Sequence, residues 1–340
     1  MSDIKQEPIE IETGSGPSDS EYETDYSDTT SLSSTLYEYT YENGRRYGGP
    51  HAEKYMLPND QKEEGRLDLR HHLWNLGLKG ESFHVPIKPL VEQAKKEGRK
   101  LRVLDLGTGT GNWAVELADT YPDDVEVVGT DITPWQPTYV PPNVKFEIED
   151  FNNSVWTFAE DGYDVVHGRN LIGSVEDWDQ FMRNVYQVLK PGGLVELQET
   201  HITGAYSEDK TIESSVIPKY SEALAEASVK LGRRMDIAPE LITITKNAGF
   251  PEATQTIVKS PMGVWPKNKR LKEMGAVGRE IFNVGGAESY GLALMTRVLG
   301  WSVEDAKALC DQFKKDINNV KIHTIYPEFI ISAFKPTASA

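Results

Sequence analysis

Gly107, Gly109 and Gly111 stand at alternate positions directly after the apolar run Arg102-Val-Leu-Asp-Leu106, and a helical pattern opens behind them at Asn112-Trp113. A strand that feeds a glycine turn and then a helix lets the backbone approach a nucleotide-type ligand, because glycine has no Cβ to hold the ligand off and accepts positive φ. A tight strand-to-helix turn needs glycine for steric reasons as well, so the loop alone leaves both readings open. Two carboxylates narrow them. Asp105 lies two residues before the first glycine, and Asp131 ends the next apolar run, Val125-Glu-Val-Val-Gly-Thr-Asp131. That places Asp131 about twenty residues past the loop, where a second parallel strand would offer paired acceptors to ribose hydroxyls.

The phase of the glycines separates two cofactor classes. A dinucleotide fingerprint G-x-G-x-x-G needs its third glycine at position 112, which is Asn112. The spacing G-x-G-x-G with an acid two residues ahead suits S-adenosylmethionine. Further along, Asp150 and Phe151 follow the run Val144-Lys-Phe-Glu-Ile-Glu. There a carboxylate would accept from the adenine's exocyclic amine and a ring would pack on its face.

The elements that must position these residues are those of an α/β sheet. Apolar runs at 125–131, 144–150, 163–167 and 194–197 alternate with helical patterns. At Leu189-Lys-Pro-Gly-Gly193 the proline cannot continue a helix and the glycines turn the chain into the fifth strand. Thr254 to Val258 reads as a sixth strand. Ile322 to Tyr326 with Phe329 to Phe334 reads as a last one, bulged at Pro327. Between them, helical patterns at 271–282, 289–299 and 303–320 predict a cap over the crevice at the carboxyl ends of the strands. Trp265, Phe282, Tyr290 and Trp301 either line an aromatic pocket there or form the cap's own core.

Ahead of the sheet, Tyr55 to Trp74 reads as a turn at Pro58-Asn59 and then a helix with Asp60 as N-cap. Leu67, Leu69, Leu73, Trp74 and Leu76 form an apolar stripe, which packing explains; Arg66, Arg70 and His71 share a face that could meet a carboxylate.

The set Asp105, the three glycines, Asp131, Asp150 and the Pro-Gly-Gly turn resembles the class I S-adenosylmethionine-dependent methyltransferases over about residues 85 to 200. A more specific set resembles the LaeA-like fungal methyltransferases from about Tyr55 to the end of the chain. It comprises Tyr-x-x-Pro-Asn-Asp with Arg-Leu-Asp-Leu-x-His-His-Leu, Gly-Thr-Gly-Thr-Gly-x-Trp, Gly129-Thr-Asp-Ile-Thr-Pro-Trp-Gln-Pro, and Met262-Gly-Val-Trp-Pro-Lys. Asn112 departs from the pattern, which has an aliphatic residue there. The resemblance implies a Rossmann-like seven-stranded sheet with helices on both faces and a helical cap insertion at about 260–320. It implies S-adenosyl-L-methionine as cofactor, with Tyr55, Arg66, His71, Asp105, Gly107, Thr108, Gly109, Gly111, Trp113, Asp131, Ile132, Asp150, Phe151 and Arg169 around it. The helix at about 58–76 would close over the methionine half, with Tyr55 near the sulfonium.

Methyl transfer is an in-line displacement that depends mainly on alignment. Where the nucleophile must lose a proton, His72 and His167 are the candidate bases, since a histidine near pKa 6.5 suits proton uptake near neutrality. A structural hydrogen-bonding role is the alternative for both.

The chain has 340 residues, one cysteine and a formal net charge of −17. A single cysteine excludes an intrachain disulfide framework and a cysteine-rich zinc site, and no metal is expected. The acidity argues against direct nucleic-acid binding. The absence of a long apolar run argues against a membrane span or signal peptide, so an intracellular protein of the nucleus or cytoplasm is expected. Residues 1–50 carry eleven acidic and three basic residues. Such a segment is expected to be a disordered acidic tail to about Gly48, ahead of a methyltransferase domain at 51–340. It is either a solubilising tail or a regulatory one. Ile4-Lys-Gln-Glu7 matches a sumoylation acceptor, and Ser27 to Ser31 offers phosphorylation sites. The family includes enzymes acting on small metabolites and regulators that work with velvet-type nuclear proteins, which are the two classes of partner implied.

Overall fold

The computed structural model describes residues 39–48 and 56–337. The chain begins there with a hairpin, β1 (Tyr39–Glu42) and β2 (Arg45–Gly48), turning at Asn43-Gly44 with φ of 52° and 77°. An Asn-Gly pair at positive φ is the turn that matches strand twist. The expectation of disorder to about Gly48 therefore does not hold for residues 39–48, which form this hairpin. Its last residues gain burial from the cap, which local composition does not register: Tyr47 is 1% exposed, and Arg45 binds Ser289 at 2.8 Å. Lys5, Ser27 to Ser31 and Tyr55 lie outside the described residues.

The helix α1 (Gln61–Gly77) is capped by Asp60, whose carboxylate accepts from the Glu63 N–H at 3.1 Å. After α2 (Lys88–Lys96) come β3 (Leu101–Leu106), α3 (Asn112–Thr120), β4 (Val125–Asp131), β5 (Val144–Ile148), β6 (Tyr163–Arg169), α4 (Trp178–Val188) and β7 (Leu189–Thr200). Then follow α5 (Ile217–Leu231), α6 (Leu241–Asn247), β8 (Thr254–Pro261), α7 (Lys269–Ile281), α8 (Ala287–Ala293), α9 (Val303–Asn318) and β9 (Ile325–Phe334).

Seven strands form one sheet in the order β5-β4-β3-β6-β7-β9-β8, parallel except for β9, which is antiparallel to both neighbours. This is the class I methyltransferase arrangement. The central strands are apolar almost without alternation because helices cover both faces. Val103, Val165 and Leu194 face Ala94 of α2 and Leu117 of α3, while Leu104, Val166 and Val195 face Phe181 and Val185 of α4. The bulge expected at Pro327 is not present. Proline 327 pairs in register with Lys259, and its carbonyl accepts from His201 N–H at 3.0 Å, so the missing proline donor does not break the strand.

The insertion between β8 and β9 is helical. Phe282, Cys310 and Phe313 pack with Tyr220 of α5 in one apolar cluster. Leu73 of α1 meets Met274 and Ile281 of α7, while Trp74 meets Ile330 of β9. So α1 packs across β9 and under the cap at once. No helix among the described residues is long and apolar enough to cross a membrane.

Candidate active site

A cleft opens at the carboxyl ends of β3, β4 and β6 and runs beneath the cap. At its floor the three glycines do different work. A Cβ on Gly107 would stand 2.6 Å from Leu171, and one on Gly111 2.5 Å from Phe146, so close packing alone demands glycine at both. On Gly109 a Cβ would find nothing nearer than Leu67 at 3.8 Å. What requires glycine there is φ of +58° and an open approach to the cleft.

Asp131 sits where β4 ends. Its carboxylate accepts from the N–H groups of Gly109 and Thr133, each at 2.9 Å, which ties it to the loop and leaves further lone pairs for a ligand. Burial, with a smaller contribution from Asp105, pushes its pKa up to about 6 against the two backbone donors. Ile132, Asp150 and Phe151 line the same end of the cleft. Asp150 accepts from Asn152 N–H at 2.9 Å, and Phe151 packs edge-on against Phe181.

Asp105 is 3% exposed and engaged within the protein: Thr108 donates to it at 2.6 Å, and His167 Nδ1 lies 2.7 Å away. Trp113 stacks on the His167 ring at 3.7 Å and donates through Nε1 to the Ser82 carbonyl. His167 is fully buried, with its pKa lowered by desolvation. Its Nδ1 is thus held by Asp105, while its Nε2 is buried without a partner among the described residues. His72 does not reach the cleft. It follows His71 by about 100° around the helix and is exposed. His72 is therefore removed from the cleft, which corrects the expectation of a base there, whereas His167 lines it.

Helix α1 brings Arg66, Leu67, Arg70 and His71 to the cleft wall. Arg66 is paired with Glu63 at 2.7 Å and donates to the Tyr290 hydroxyl at 2.5 Å, linking α1 to the cap. Arg70 is paired with Glu328 at 3.1 Å. In His71, Nε2 faces Glu116 at 2.9 Å and Nδ1 faces Arg169 Nη1 at 3.2 Å. An arginine N–H only donates, so Nδ1 is the acceptor and the ring is neutral, in keeping with a pKa lowered by burial. Arg169 also donates to Gln198 at 2.8 Å, while its Nη2 is buried without a partner among the described residues. Arg66 and His71, expected at a cofactor carboxylate, thus have protein partners, whereas Arg169 keeps an unused donor.

Several contributors were not legible in the sequence. Asn112 donates to Asp68 at 2.7 Å, and Thr110 to the same oxygen at 3.2 Å, so α1 clasps the glycine loop. That gives a role to the residue departing from the family pattern. Gln136 donates to the Gly109 carbonyl at 2.7 Å. Asn170 lines the cleft just past β6. Of the four cap aromatics, Phe282 and Tyr290 line the cleft, while Trp265 packs on His323 and Trp301 against the cap core.

A seven-stranded sheet, parallel but for β9, with a glycine loop after β3 and an acid at the end of β4 is the arrangement of the class I methyltransferases. Residues 79–231 match the methyltransferase domain family. The chain is 39% identical over 311 residues to methyltransferase pytC of Aspergillus terreus, covering 91% of this chain and 92% of that one. It is 30% identical to secondary metabolism regulator LAE1 of Cochliobolus heterostrophus, covering 87% and 94%. It is also 30% identical to protein-methionine methyltransferase laeA of Emericella nidulans, covering 87% and 76%. The chain belongs to the LaeA-like family of S-adenosylmethionine-dependent methyltransferases.

Proposed function

We propose that this protein transfers a methyl group to a small metabolite held beneath the cap, in a pathway of secondary metabolism. The observation that carries this reading is the single cleft joining Asp131 and the glycine loop to Phe282 and Tyr290 of the cap. The residues at its floor fit the cofactor. Asp131 retains acceptor capacity for ribose hydroxyls, Gly109 leaves open space, and Arg169 keeps a buried donor suited to an amino-acid carboxylate. Asp150 and Phe151 suit the adenine. S-adenosylmethionine supplies an electrophilic methyl on a sulfonium. The chain's own part is alignment and the exclusion of water. Glu199 holds the strand-end loop by accepting from Leu171 and Ile172 N–H groups, and α1 with the cap closes the crevice. Calorimetric titration of S-adenosylmethionine into wild type and Asp131→Ala tests the site; equal affinities would remove it.

A second reading is a nuclear regulator acting through velvet-type partners, with methylation secondary. It is supported by relatives named as secondary metabolism regulators, at 30–31% identity. The nucleus is then the expected location, and the cytoplasm suits the tailoring enzyme. Affinity purification from native cells, repeated with Asp131→Ala, separates them. Velvet-type proteins recovered with both forms, together with gene-expression control that survives the substitution, support regulation; a single missing methylated metabolite supports the enzyme.

A further inference from the structure

One buried lone pair in the cleft is unclaimed. His167 and Asp105 are register partners on β6 and β3, and His167 Nδ1 stands 2.7 Å from the Asp105 carboxylate, which also accepts from Thr108 Oγ1 at 2.6 Å. A carboxylate accepts, so Nδ1 carries the proton and Nε2 the lone pair. Nε2 is buried without a partner among the described residues, on a ring that lines the cleft. A histidine kept only for packing would bear that desolvation cost with nothing to offset it. The surroundings also suit a charged ring. Trp113 stacks on it at 3.7 Å and 6°, and an indole face stabilises a cation. Asp105 would stand beside the imidazolium as an orienting anion, the arrangement that lets a buried imidazole take up a proton.

Neighbouring polar groups of the lining do not offer the same. His71 has its Nδ1 lone pair taken by Arg169 and its Nε2 turned to Glu116. Asn170 accepts through its side-chain oxygen from Arg70 Nε at 3.1 Å, Arg70 Nη2 at 3.0 Å and Trp74 Nε1 at 3.2 Å, so its amide is left with N–H groups to donate. Asp131 and Asp150 lie at the end proposed for the nucleoside. His167 stands two residues before Arg169, on the same face of β6, and Arg169 is the donor proposed for the cofactor's carboxylate. In S-adenosylmethionine two methylene groups separate the α-carbon from sulfur, so a side chain beside that donor is near the methyl to be transferred. Ile202, Met235, Met262 and Phe282 continue the lining as an apolar wall. An acceptor already ionised as an anion needs no base, and an ammonium acceptor would bring a second cation beside the sulfonium and Arg169. A hydroxyl needs the base and carries no charge to be repelled.

We propose that His167 Nε2 is the base of the transfer, oriented by Asp105, and that the methyl acceptor is a neutral hydroxyl on an apolar body, which leaves as its methyl ether. This rests on the methyl-transfer reading above. A lone pair of the hydroxyl oxygen forms the new bond to the methyl carbon. The methyl–sulfur bond breaks with its electron pair retained on sulfur, and the hydroxyl proton passes to Nε2. One cation is lost at sulfur and one gained at the imidazole, which later gives its proton to solvent. The same lone pair would also suit the cofactor's own ammonium group, so the test must separate the two.

Wild type and His167→Asn, as full chains, are each incubated with saturating methyl-deuterated S-adenosylmethionine and an organic-soluble metabolite extract of the cells that make the protein. Asparagine can still donate to Asp105 but has no basic nitrogen. Transfer is expected to fall by about a hundredfold or more, while calorimetric affinity for S-adenosylmethionine stays within about threefold. Between pH 7 and 9 the wild-type rate should be level, whereas the residual rate of the variant should climb by about tenfold per pH unit, because solvent must then ionise the hydroxyl. The charged groups around the ring are Asp105, Arg169 and Glu196, and the substitution leaves all three in place, so a difference in slope belongs to His167. A low but level rate in the variant gives the ring a structural duty and overturns the proposal. A loss of cofactor affinity of about tenfold or more assigns Nε2 to the cofactor's ammonium group and overturns it. Label released by mild base as deuterated methanol marks a carboxylate acceptor, which needs no base, and overturns it too. No transfer by the wild type, with cofactor bound, overturns the methyl-transfer reading as well. His167→Gln, nearer the imidazole in volume, repeats the measurement if His167→Asn does not fold cooperatively.

Discussion

The two halves of the cleft are built from different materials. The half proposed for the cofactor is backbone and short side chains at strand ends: Gly107, Gly109, and Asp131 accepting from two N–H groups. The half proposed for the acceptor draws long side chains from α1 and the cap, crossed by Arg66–Tyr290 and Arg70–Glu328 contacts between elements far apart in sequence. A half fixed by sheet hydrogen bonds holds one geometry whatever the cap does. A half assembled from side chains of several helices varies in shape with each substitution.

The comparison predicts effects of graded size. Gly109→Val should abolish measurable cofactor binding at micromolar concentrations while thermal unfolding stays cooperative, because the side chain enters open cleft at φ of +58° rather than packed core. Retained micromolar binding in calorimetry would mean the loop does not touch the cofactor. Asp131→Ala should weaken binding by about tenfold to a hundredfold, equivalent to about 1 to 3 kcal/mol, with acceptor KM unchanged at saturating cofactor. A rise in acceptor KM under those conditions would break the separation between the halves.

Acidity probes the same carboxylate. With its pKa pushed up to about 6, Asp131 is ionised above that value and protonated below it. Cofactor affinity should therefore fall as pH drops from 7.5 to 5, by about tenfold at one unit below the pKa, and Asp131→Asn should flatten that dependence. A profile unchanged in the variant would assign it to another group. The smallest effect belongs to the other half. Tyr290→Phe removes the hydroxyl that Arg66 donates to and should cost about 1 kcal/mol of stability. It should raise acceptor KM a few-fold and leave cofactor affinity alone, as equilibrium unfolding and steady-state kinetics would report.

Strands were legible because each is specified over a few neighbouring residues. Val125–Asp131 reads as a strand from apolar content alone, whereas Pro191-Gly-Gly, read as a turn, lies inside β7 where the register against β6 shifts. Residues whose duty is to a distant partner were not. His167 lines the crevice as its strand-end position suggests, but its stacking on Trp113 and its contact with Asp105 could not be read from the sequence. His72 and His71 are adjacent in sequence, and the register of one helix sends them to different surroundings. Asn170 carried no signal, since only the approach of Arg70 and Trp74 orients its amide.

Periodicity, glycine spacing and strand-end acids by themselves determined the sheet, the position of the glycine loop and the existence of an insertion, because those depend on backbone conformation and local burial. Tertiary structure alone decided which polar groups are used up and which remain available to a ligand. Hydrogen-bond capacity is shared between elements far apart in the chain. Arg169 and Asn170 are left with unused donors only because His71, Gln198, Arg70 and Trp74 have taken the rest.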